Sequence, residues 1–170
     1  NYWNSFTQSQ VIVDYTKQIN NLDEEKYDRI ISQAKAYNEK LIGRRNPYLL
    51  SDEQKAEYDE LLDVSGIGIM GYIEIPSINC TLPIYHGTSE AVLNIAVGHL
   101  EGSSLPIGGT GTHSVLSAHR GLPSAKLFSD LDKLVVGDLF TVTILNEVLT
   151  YEIDQILIVK PYEMEKLARV

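Results

Sequence analysis

The stretch GIGIMGYIEIPSINCTLPIYHG, residues 66–87, decides how the rest of the chain is read. It is rich in Ile and Gly, and its polar and apolar residues alternate around Tyr72, Glu74 and Ile75. That period of two marks a strand with one buried face. Pro76 cannot donate to a strand ladder and marks a turn. The pattern predicts a strand at 70–75, a proline turn, and a second strand over 79–85.

Upstream of Gly66 the period changes. In NLDEEKYDRIISQAKAYNEKLIG, residues 21–43, Tyr27, Ile30, Ile31, Ala34, Tyr37 and Leu41 fall along one helical face. Asn21 with Glu24 fits a capping box, the first turn is acidic, and Gly43 is a stop. RRNPYLLS follows. Pro47 cannot continue a helix and pushes Asn46 towards extended geometry, so an exposed loop carries Asn46, Pro47 and Tyr48. Ser51 with Gln54 is a second capping box, opening a helix expected to reach Leu62. Residues 1–20 are polar with scattered aromatics, and no element is assigned to them.

Downstream, SEAVLNIAVGHL (89–100) reads as a short helix capped by Thr88 or Ser89, and EGSSLPIGGTGT (101–112) as a loop. HSVLSAH (113–119) reads as a strand and SAKLFSDL (124–131) as a short helix. Residues 138–160 read as two strands around an Asn146-Glu147 turn, and residues 161–170 as the opening of a further helix. The expected architecture is an N-terminal helical region over 1–65 and a mainly β domain, barrel or sandwich, over 66–170.

Of the 170 residues 44% are hydrophobic and 22% charged, enough apolar content to bury a core. The net charge of -9 argues against a nucleic-acid partner, which calls for a basic face. A single cysteine, Cys80, rules out an internal disulfide, and a buried inert thiol is its ordinary role. His86, His99, His113 and His119 show no metal-ligand spacing, so no metal or other cofactor is expected, and each is ordinarily bonded to a nearby carbonyl. No apolar run reaches the roughly 18 residues of a membrane span, and no signal peptide is visible. A first residue other than Met suggests a processed or excised chain.

His119 stands apart because of its neighbours in LSAHRGLPSAKLFSDL, residues 116–131. Val115 to Ala118 form the expected strand, and Gly121 and Pro123 break the chain just beyond it. A histidine at a strand end is presented to a cleft by a rigid element, and imidazole can both give and take a proton near neutrality.

The run GYIEIPSI, LPIYHGTSEAVL, VGHLEGSSLPIGG, THSVLSAHRGLPSAKLFSDLDKL and GDLF resembles the sortases of Gram-positive bacteria, and within them class C, the pilin-polymerising type. The resemblance is dense over residues 66–160, and the preceding helices and Pro-Tyr loop resemble the class C N-terminal region. It implies a sortase-type β-barrel carrying an N-terminal helical appendage. It also implies a cysteine transpeptidase that cleaves an LPxTG-like sorting signal between Thr and Gly through a thioester, which a lysine of the next pilin subunit resolves. The family's catalytic histidine matches His119. Its lid motif, Asp-Pro-aromatic, matches Asn46, Pro47 and Tyr48 within a lid loop at 44–50, with the aspartate's charge replaced by a neutral amide. The implied location is the outer face of the cell membrane or the cell wall, with membrane anchors outside this sequence and pilin subunits as partners.

The resemblance also marks what these residues do not contain. The family's nucleophile lies in a TLxTC strand and its arginine on the strand after it, and both fall beyond Val170. The expectation is an incomplete barrel, inactive alone, from a shortened chain, a missing companion fragment or a strand-exchanged oligomer. If the strand continues as far as Arg120, that residue is a poor stand-in for the arginine, since adjacent residues on a strand face opposite ways. Two rival readings remain: a thiol hydrolase using Cys80 with His119, and a barrel that binds a sorting signal or pilin without cutting it.

Overall fold

The computed structural model describes residues 2–121 and 127–160, with side chains from residue 6 onward. Three helices precede the sheet: α1 (Tyr2–Asn20), α2 (Glu24–Leu41) and α3 (Asp52–Glu60). The sheet is built from β1 (Ile69–Ile75), β2 (Cys80–His86), β3 (Val97–His99), β4 (Leu116–Ser117), β5 (Leu139–Ile144) and β6 (Glu147–Glu152), with a single-turn helix α4 (Glu90–Leu93) between β2 and β3. The strand order is β4-β3-β2-β1-β5-β6, curled into a half-barrel. Every pairing is antiparallel except β2 with β3.

The hairpin that decides the fold forms as expected. Pro76–Ile78 make a 3-10 turn closed by Asn79 in the left-handed region (φ 48°), and Ile75 pairs with Cys80. Ile73, Ile75, Leu82 and Ile84 are buried, so one face of the pair belongs to the core. Gly71 is needed because β5 passes close by. A Cβ there would lie inside 3.0 Å of the Thr143 carbonyl oxygen and of Ile144 Cδ1.

Several boundaries differ from the expectation. The helix expected over 89–100 ends at Leu93, and Val97–His99 instead form a wholly buried strand between β2 and β4. Tertiary pairing outweighs local propensity there. The strand expected over 113–119 shrinks to Leu116–Ser117, because the backbone of His113 and Val115 is held by the serines of the preceding loop. The hairpin turn falls on Leu145 and Asn146 rather than Asn146 and Glu147, since Ile144 pairs with Glu147. Of the helix expected over 124–131, residues 124–126 lie outside the described residues. Leu127 to Asp130 form a turn leading into a 3-10 turn, Leu131–Lys133. The helix expected from residue 161 also lies outside them.

Of the unassigned first twenty residues, Tyr2–Asn20 form α1. Gln8, Tyr15 and Ile19 are buried at helical spacing, and a polar Gln within that face obscured its period. α1 packs on β1 and β2, and the Tyr15 hydroxyl donates to the Met70 carbonyl (3.1 Å) and accepts from the Leu145 N–H (2.8 Å). The N-cap of α2 is Asp23 rather than Asn21: its carboxylate accepts from the Lys26 N–H at 2.8 Å. Gly43 closes the helix at φ 77°. The Ser51–Gln54 capping box of α3 is present with both of its hydrogen bonds. Asn46 takes a left-handed conformation (φ 51°) rather than an extended one, a region Asn tolerates better than most residues.

Candidate active site

His119 lies two residues beyond β4, where the chain leaves the sheet. Its carbonyl accepts from the Phe128 N–H at 3.1 Å, and Gly121 turns the backbone at φ 70° against Ser129. Phe128 is one wall of a cavity of about 390 Å³ on the inner side of the sheet, formed also by Ile73, Ile75, Leu116, Phe140 and Val142. The strands supply this apolar surface because their inward-facing positions alternate with outward ones. Ser114 also borders the cavity, and its buried hydroxyl has no hydrogen-bond partner among the described residues. Arg120, next to His119, is 71% exposed and forms an ion pair with Asp132 at 2.9 Å.

Cys80 is not brought to His119. It is 9% exposed and sits at the start of β2 within the core cluster. Tyr85 aligns with Gly98, and Gly98 with Ser117. By that register Cys80 is roughly 10 Å from His119 along the strands and about two strand spacings across, far outside hydrogen-bond reach.

The Asn46-Pro47-Tyr48 loop joins α2 to α3. The Leu49 N–H donates to the Asn46 carbonyl at 3.1 Å. Arg44 donates to the Leu49 carbonyl (3.4 Å) and to Gln54 Oε1 (2.7 Å), tying the base of the loop to α3. Tyr48 is 53% exposed. The loop backbone at Pro47 and Tyr48 rests on Gly102, just beyond β3. Because β3 and β4 are antiparallel, Gly102 and His119 lie off opposite ends of that two-strand ladder.

Between the two ends runs a buried polar network. His99 is fully buried on β3. Its Nε2 lies 2.8 Å from the Ser104 carbonyl and its Nδ1 2.8 Å from the Tyr58 hydroxyl of α3. The same hydroxyl accepts from the Gly87 N–H at 3.1 Å. The pattern fits a neutral imidazole with its proton on Nε2. Burial lowers the His99 pKa to about 4, against the opposing effect of the Ser104 bond, and the nearby His86 lowers it further. Burial likewise raises the Tyr58 phenol. The hydroxyls of Ser103 and Ser104 accept from the N–H groups of Val115 and His113, both at 3.1 Å, and so hold the segment that leads into β4. Asn38 of α2 clamps the same loop through both polar groups of Leu105, at 2.7 and 3.0 Å.

His86 and His99 thus bond to backbone carbonyls, the ordinary role of such residues. Tyr58, Gly102 and Asn38 carry no mark in the sequence. A tyrosine in a polar helix, a glycine in a glycine-rich loop and an asparagine on a helix face give no periodic signal. Among the described residues no three His, Cys, Asp or Glu side chains cluster as metal ligands would, and no helix is long and apolar enough to cross a membrane.

Comparison with known proteins agrees with this architecture. The family model described as "Sortase domain" matches residues 73–170. Among solved structures, sortase C1 from Streptococcus agalactiae is 51% identical over 93% of this chain and 82% of its own length, with a TM-score of 0.87. Sortase C of Streptococcus pneumoniae is 41% identical over 92% of this chain and 80% of its own (TM-score 0.80). Sortase C from Clostridium perfringens is 42% identical over 93% and 81% (TM-score 0.70). No curated protein matches the chain. The sortase-type fold expected from the sequence is therefore borne out, and the chain belongs to the sortase family, with its near structural relatives in class C.

Proposed function

We propose that this chain supplies the acid–base residue and the lid of a cysteine transpeptidase that joins pilin subunits through their LPxTG-like sorting signals. The observation that carries the reading is His119, set at a strand end and bonded through its backbone to a wall of the apolar cavity. In the proposed reaction a cysteine thiolate attacks the threonine carbonyl. The Thr–Gly bond breaks as the His119 imidazolium protonates the leaving glycine amine. A pilin lysine amine then attacks the thioester, His119 takes its proton, and the thiolate leaves as the isopeptide bond forms. The Asn46-Pro47-Tyr48 loop acts as a lid over access to this site. The protein works at the outer face of the membrane of a Gram-positive cell. These 170 residues alone are inactive, since their one cysteine, Cys80, is remote from His119.

The test is complementation. A chimera bearing a TLxTC-type strand and the arginine strand after Val170 is expected to cleave an LPxTG peptide, and His119→Gln to slow it by about 10²–10⁴-fold. Full activity in that variant would remove His119 from the mechanism. Turnover by the 170-residue chain alone, lost in Cys80→Ala, would favour the thiol-hydrolase reading. Saturable peptide binding by the chimera with no cleavage would favour the binding barrel.

A further inference from the structure

We infer that Gly102 is the positioning residue for the Asn46-Pro47-Tyr48 loop: a seat that holds the loop closed and couples it to the segment carrying His119. The inference rests on the lid reading above and adds to it the contact that sets the lid's position. Gly102 has φ 85°, and a Cβ built on it would lie inside 3.0 Å of the Pro47 carbonyl oxygen and carbon and of Tyr48 Cα. Backbone meets backbone there, so no rotamer change can relieve an added methyl group. The seat is rigid from below. Ser103 and Ser104, the next two residues, hold Val115 and His113 on the way into β4 and are themselves bonded to His99. It is also braced from the side, where Lys55 of α3 pairs with Glu101 at 3.6 Å. Loop position and the placement of β4 therefore share one block, residues 99–104.

The experiment is hydrogen exchange on the full 170-residue chain, comparing Gly102→Ala with Gly111→Ala. Gly111 has a similar positive φ (75°) but nothing within 4 Å of an added Cβ, so it reproduces the backbone strain without the clash. Gly102→Ala is expected to speed amide exchange over residues 44–50 by about tenfold relative to β1, and Gly111→Ala to leave that segment unchanged. Gly102→Asn, which tolerates positive φ but keeps the Cβ, is expected to act like the alanine variant. Equal effects of Gly102→Ala and Gly111→Ala, or a rise spread uniformly over the chain, would overturn the seat. The rate of His119 modification by diethyl pyrocarbonate separates the two ideas. A loop released with His119 reactivity unchanged leaves the seat standing and removes the lid.

Discussion

The hydroxyl of Tyr58 on α3 lies 2.8 Å from Nδ1 of His99 on β3, and both side chains are fully buried. This pair fastens the helical region to the sheet. It also joins His99 to Gly87 at the end of β2, so one phenol serves three elements. Tyr58→Phe keeps the ring and removes the hydroxyl, leaving His99 Nδ1 and the Gly87 N–H buried without their partner. The expected loss is about 1–3 kcal/mol in a denaturant titration. An unchanged midpoint would mean that the network does not contribute to stability.

His99 should also make the fold sensitive to acid. Its pKa falls from 6.5 to about 4 in the folded chain, chiefly through burial. Between those values the unfolded chain binds a proton that the folded one excludes. Stability is thus fully present above pH 6.5 and is lost as pH falls towards 4, by on the order of 3 kcal/mol. The check is the difference in stability between the parent and His99→Gln at pH 7 and pH 4.5. The parent should lose its advantage at the lower pH. A constant difference would show that His99 does not titrate in this window.

Tyr15 is a second such fastening, between α1 and the strands β1 and β5. Its hydroxyl bridges Met70 on β1 and Leu145, which turns from β5 to β6 at φ 55°. Tyr15→Phe leaves the Leu145 N–H buried and unpartnered. A loss of about 1–3 kcal/mol is expected, with faster exchange concentrated in residues 144–147. Exchange rising evenly across the sheet would argue against a local role.

Gly71→Ala tests a close approach between β1 and β5. Its Cβ would press on the Thr143 backbone, which cannot move without breaking the β1–β5 ladder. The variant is expected to lose about 1–3 kcal/mol, read as a lower melting temperature. A stability equal to the parent would require a shifted β1–β5 register, visible in the cross-strand amide contacts of Tyr72 and Thr143.

Local rules suffice wherever the signal in the chain is periodic or chemical. The 66–87 hairpin follows from alternation and Pro76, α3 from its capping box, and the end of α2 from Gly43. The same rules fail where partners distant in the chain decide. The helical pattern across 89–100 gives way to a strand because β2 and β4 offer Val97–His99 a buried ladder. The α2 cap moves from Asn21 to Asp23 because α1 runs on to Asn20 and uses the Asn21 N–H. α1 itself is hidden by its buried Gln8.

Although α1 and β3 escaped it, the sequence by itself determined α2, α3, the β1–β2 and β5–β6 hairpins, the mainly β character after residue 66, the family resemblance, and His119 close to a strand end. These depend on side-chain periodicity, turn chemistry and motif spacing, which act over a few residues. Only the tertiary structure decided that the Pro47–Tyr48 backbone rests on Gly102, that Tyr58 meets His99, and that Cys80 lies apart from His119. Each of those is a contact or a distance between residues far apart in the chain, set by how the strands register and how the helices pack across them. No local pattern encodes that.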